Sequence, residues 1–120
     1  MATMSAPLWR LTVLKPRGDF YASAHPEADD VLLLIEVADS SLLLDRNQKI
    51  PVYAREGVQE VWLVNLLSDT VEVFRRPDHG AYTDQSVVAR GAELSPLAFP
   101  DVAVRVDDLI GAELLPDRRM

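Results

Sequence analysis

The sequence predicts an α/β chain of the α+β kind: a mixed β-sheet carrying one main helix. Three observations lead there. The run Val31 to Val37 (VLLLIEV) is apolar without alternation, the pattern of a strand covered on both faces. Val58 to Asn65 holds a second such run, Val61-Trp62-Leu63-Val64. Between them Ile50, Tyr53 and Ala54 recur at i, i+3 and i+4, an apolar helical stripe. Hairpin signals follow, so the expected order is β-β-α-β-β-β-(β)-α. At 120 residues the chain is expected to form one domain, residues 1–120. A chain of that size buries roughly two-thirds of its unfolded surface, enough for a real core.

The elements can be taken in order. Residues 1–7 are small and polar and are expected to fray. Trp9 to Leu14 alternates bulky and polar groups and reads as a strand. Lys15-Pro16-Arg17-Gly18-Asp19 is a turn, and Phe20 to Asp29 a surface loop. Val31 to Val37 is the central strand, and Asp39-Ser40-Ser41 breaks it. Leu42 to Gly57 is mainly helical. Pro51 lacks an N–H and is harmless only in a first helical turn. An N-cap at Asn47 would place it there; a start nearer Asp45 would force a kink. Gly57 suits a left-handed helix end. Val58 to Asn65 is the next strand, Leu67-Ser68-Asp69 a turn, and Val71, Val73 and Phe74 mark the hairpin partner. Pro77-Asp78-His79-Gly80 turns into a strand from Tyr82 to Ala89. Gly91 to Pro100 is irregular. Val102 to Val104 reads as a short strand, and Val106 to Leu115 as a helix capped by Asp107 or Asp108.

Composition narrows the function. The longest apolar run, Val31 to Ile35, is far too short to span a membrane. The N-terminus lacks the basic start and long apolar middle of a signal peptide. There is no cysteine, so no disulfide and no thiolate metal site. A cytoplasmic bacterial-type protein fits. The net charge of −7 disfavours non-specific nucleic-acid binding, which needs clustered cations. Lys15 and Lys49 are the only lysines.

Two side chains carry chemistry. Glu36 ends the central strand, where burying a carboxylate is costly unless it is paired or metal-bound. The alternative is that it reaches solvent where the strand stops. Lys49 stands thirteen residues later at the helix start. A lysine near a carboxylate can orient a water, or it can be an ordinary solvated surface group. His25 and His79 both fall in turns, without metalloprotease spacing. Ser40-Ser41 lacks a nucleophile elbow, and the glycines are scattered singly. Trp62 and Tyr53 read as core.

The segments IEVADSS, DRNQKIPVYAREGVQEVWLVN, VEVFRRP and LSPLAFPDVAVRVDDLI occur in that order. They carry E-V-x-x-S-S, D-R-x-x-K, Y-A-R-x-G-V and E-V-W-L-V at characteristic spacing. From about Leu11 to Leu109 the chain resembles the Uma-type restriction endonuclease family of the PD-(D/E)XK nuclease superfamily. That resemblance implies a restriction-endonuclease-like core and metal-dependent hydrolysis of DNA phosphodiesters. Its site would hold Mg²⁺ between an aspartate and a glutamate, with a lysine beside them. Glu36 matches the glutamate, as catalytic residue and metal ligand, and Lys49 the catalytic lysine. Arg10 falls where the aspartate belongs, and a guanidinium has no lone pair for a metal. The resemblance therefore implies a degenerate site, and as an alternative activity an inactive interaction or regulatory module. Arg10 could pair with Glu36 instead. Pro100-Asp101 mimics the superfamily signature but follows the glutamate and lysine, in the wrong chain order. The resemblance also makes the chain the C-terminal portion of a longer domain with N-terminal elements missing. A sheet edge bared that way invites a homodimer.

Overall fold

The computed structural model describes residues 9–16, 28–38 and 45–111. Five strands make one mixed sheet in chain order: β1 (Trp9–Leu14), β2 (Val31–Ala38), β3 (Glu60–Asn65), β4 (Thr70–Asp78) and β5 (Ala81–Ala89). β2 and β3 run parallel, and the other neighbours antiparallel. A parallel pair needs a crossover, which α1 (Ile50–Glu56) supplies. A two-stranded ribbon, β6 (Glu93–Leu94) with β7 (Val104–Arg105), leads into α2 (Val106–Ile110). The expected mixed sheet with one main helix is thus observed.

The non-alternating runs have the cause expected of them. All of β3 and the last six residues of β2 are buried, because both faces of the sheet are covered. On one face Leu33, Ile35, Trp62 and Val64 pack with Val106 and Ile110 of α2. On the other, Leu34, Ala38, Val61 and Leu63 pack with Ile50 and Ala54 of α1.

α1 begins differently from the expectation of an Asn47 cap. Asp45–Lys49 forms a π-helical turn, and Lys49 occupies the N-cap position without a side-chain cap. The wide turn takes up an extra residue, so Pro51 enters at the first positions of the regular helix, where its N–H is not required. Leu42 to Leu44 lie outside the described residues. Gly57 ends α1 at φ 86°, the left-handed conformation, and Val58 N–H reaches back to Tyr53 O (3.0 Å).

Both hairpins form. Asn65 Oδ1 accepts from Leu67 N and Ser68 N (2.9 and 3.2 Å) and shapes the β3–β4 turn. His79 and Gly80, at φ 52° and 80°, form the two-residue link between β4 and β5 that strand twist favours.

Three expectations near the C-terminus need correction. Gly91 to Pro100 is not irregular throughout, because Glu93–Leu94 pairs with Val104–Arg105 as β6. Only Val104–Arg105 is strand, because Val102 N–H is spent on Phe99 O (3.0 Å) in a turn. The final helix stops at Ile110, where Gly111 is left-handed; residues 112–115 lie outside the described residues. Neither Asp107 nor Asp108 caps it. Both sit in its first turn, after an extended Arg105, and Asp107 Oδ1 instead accepts from Gly91 N (2.9 Å).

Candidate functional site

Strand register assembles the site. Arg10 pairs with Glu36, Glu36 with Leu63, and Leu63 with Glu72, one row across four strands. Residues directly opposite share a face, here the one covered by α1. Two acids therefore flank Leu63, their backbones roughly 10 Å apart from two strand spacings.

Glu36 does not reach solvent. It is 1 % exposed, since β2 runs on to Ala38 and α1 lies above it. Its Oε2 meets Arg10 Nη2 at 3.2 Å and accepts a hydrogen bond from the Tyr53 hydroxyl. Arg10 Nη2 also donates to Tyr53 Oη (3.0 Å), and the guanidinium stands 5.9 Å from the Tyr53 ring centroid. Two groups, a guanidinium and a hydroxyl, thus converge on one carboxylate oxygen. The other, Oε1, is buried with no hydrogen-bond partner among the described residues.

Lys49 is half-buried at the N-cap of α1. Tyr53 stands four residues later, one helical turn on along the same side. The sequence therefore placed Glu36 and Lys49 on elements that do meet, and the pairing of Arg10 with Glu36 is observed. Tyr53 was missed. Its place in the apolar stripe reads as core, and its ring does pack there, but its hydroxyl is part of the site.

A second arginine–carboxylate pair occupies the same face. Arg46, on the π turn, donates through Nε to Glu72 Oε1 (2.9 Å) and through Nη2 to Oε2. The hydrogen bond and charge of Glu72 raise the Arg46 pKa, against a smaller opposing effect of burial. Asn65 Nδ2 reaches Glu72 Oε2 at 3.4 Å. On the opposite face Glu60 is fully buried against Trp62, Arg75 and the backbone of Leu97.

A hard divalent cation requires about six oxygen ligands, carboxylates prominent among them. Glu36 offers one oxygen already shared by a cation and a hydroxyl, and the opposite position holds a guanidinium. Among the described residues no three His, Cys, Asp or Glu side chains converge. These residues do not fit Mg²⁺. Asp19, His25 and Asp39 lie outside the described residues. His79 is an exposed turn residue beside Asp78, and Asp101 is an exposed turn residue.

A family model described as "Putative restriction endonuclease" (Uma2) matches residues 11–107. The chain belongs to this family. The match covers nearly the same span, about Leu11 to Leu109, as the resemblance read from the Uma-type motifs. A solved structure from Anabaena variabilis, described as a "putative nuclease belonging to DUF820", is 20 % identical with a TM-score of 0.47. The shared region covers 64 % of this chain and 43 % of that one, so this chain spans less than half of that protein's length. No curated protein matches. Among the described residues no helix is long and apolar enough to cross a membrane.

Proposed function

We propose that this chain is a Uma2-family module with a degenerate nuclease site, a non-hydrolysing interaction or regulatory unit. The carrying observation is the Arg10–Glu36 pair at 3.2 Å. Metal-assisted phosphodiester hydrolysis needs a cation that polarises the phosphoryl group and acidifies a bound water. Arg10 neutralises Glu36 but offers no coordination position and ligates no water. Tyr53 closes the same oxygen.

A second reading, a Mg²⁺-dependent DNA endonuclease using Glu36 and Lys49, draws support from the bare Oε1 of Glu36. Plasmid DNA with Mg²⁺ or Mn²⁺ separates the two. We expect no cleavage. Cleavage that disappears in Glu36→Ala and in Lys49→Ala would establish the second reading. Arg10→Asp should put two carboxylates side by side and give a divalent-dependent rise in Tm of several degrees, absent from the wild type.

We further infer a homodimer. Among the described residues β1 and β5 are the sheet's edges, and edges invite pairing. Leu11 on β1 and Val87 on β5 are both well exposed. Light scattering should give twice the chain mass; a concentration-independent monomer mass would refute it.

A further inference from the structure

We propose that the groove between β1 and α1 binds a small amphipathic carboxylate, with Arg10 taking the anionic head. This rests on the degenerate-site reading, in which Arg10 is a resident cation and not a residue displaced by metal.

The groove encloses about 410 Å³, near the lower end for organic-ligand sites. Leu14, Val31, Leu34, Val52 and Val58 form its walls. Such a lining suits a hydrocarbon body and would desolvate the phosphates of a polynucleotide at a cost. The polar groups are few. Arg10, Thr12 and Tyr53 line the groove, and Glu56 joins them from the end of α1.

Arg10 is the accessible charge. Its side chain is 47 % exposed, whereas the Glu36 carboxylate beneath it is 1 % exposed. Nη2 serves Glu36 and Tyr53, but a guanidinium carries five N–H donors, and its planar fork matches a carboxylate. The Tyr53 hydroxyl proton is committed to Glu36, so Arg10 selects the head group. Glu56 is exposed beside the groove and repels added negative charge, which favours a monoanion over a phosphate dianion. At roughly 30 Å³ per small group, the volume accommodates about a dozen heavy atoms. A medium-chain carboxylate fits that size.

Octanoate is the probe, titrated against the intact chain by calorimetry and amide chemical shifts. We expect saturable binding, with shifts at Leu14 and Val52. Acetate, 1-octanol and inorganic phosphate should each bind at least about tenfold more weakly, as loss of one charge-assisted contact or of the apolar body requires. Arg10→Gln should weaken octanoate about tenfold by the same arithmetic. Val52→Trp, at a partly exposed position where folding is not at stake, should fill the groove and abolish binding. Absence of octanoate binding would overturn the proposal. So would equal binding of 1-octanol, acetate or phosphate, or an unchanged affinity in Val52→Trp. Failure of the degenerate-site reading would appear separately, as metal-dependent DNA cleavage by the wild type.

Discussion

Glu36 and Glu60 lie on adjacent parallel strands, on opposite faces of one sheet, at 1 % and 0 % exposure. Glu60 Oε2 accepts from Trp62 Nε1 (2.7 Å) and Arg75 Nε (2.8 Å), and Oε1 accepts from Leu97 N (2.7 Å). Both oxygens are used. The donors come from its own strand, the next strand and a loop, so Glu60 ties that loop to the sheet. Arg75 Nη2 strengthens the tie through Ser95 O (2.8 Å). Glu36 has the same burial and an uneven set of partners: Oε2 is crowded and Oε1 bare. A buried acid with every lone pair employed serves architecture. One with an oxygen left without a partner among the described residues holds less of the structure together.

Stability measurements can break that contrast. Glu60→Ala strands Arg75 and Leu97 N, and should cost about 3 kcal/mol in urea unfolding, the low end for breaking a buried pair because Arg75 is 25 % exposed. A loss below about 1 kcal/mol would remove the architectural role. Tyr82 provides a control on Glu36's own face, where its hydroxyl donates to Val58 O (2.6 Å). Tyr82→Phe should cost about 1 kcal/mol at neutral pH. Burial raises the Tyr82 pKa above its ordinary value. Its contribution is therefore whole below about pH 10 and falls as pH climbs toward the folded value, by at most about 1.4 kcal/mol per pH unit. Alkaline unfolding of the wild type should show that slope and Tyr82→Phe should lose it. The smallest effect belongs to Glu36→Gln. The amide still accepts from Tyr53 and gives up an ion pair to a half-exposed arginine, so the cost should stay below about 1 kcal/mol. A cost equal to that of Glu60→Ala would erase the distinction.

Much of the frame was legible in the sequence. The runs in β2 and β3 named the covered strands, Gly57 named the helix end, and the turn residues named both hairpins. The family-like motifs set Arg10 in the aspartate's place and left its pairing with Glu36 as one option, the one observed. The Tyr53 hydroxyl did not, because its partner lies on a strand seventeen residues away and the apolar stripe explains the ring without it. Arg46–Glu72 left no local signal either, since it depends on the π turn that carries Arg46. Glu60 with Arg75 was recoverable in principle. Counting back from the β3–β4 turn, where Asn65 faces Thr70, sets Glu60 opposite Arg75. The N-cap was misplaced because Pro51 admits two solutions, a cap at Asn47 or a widened turn, and propensity does not choose between them.

Among the described residues, three carboxylates are buried, Glu36, Glu60 and Glu72, and each is matched by an arginine: Arg10, Arg75 and Arg46. Those pairs contribute no net charge, so the whole −7 lies outside them. Within about 8 Å of the surface in physiological salt, approaching solutes meet that excess negative charge. Such a field filters approaching solutes by valence. A polyphosphate is turned back at every charge it carries, and a small monoanion only once before it meets Arg10.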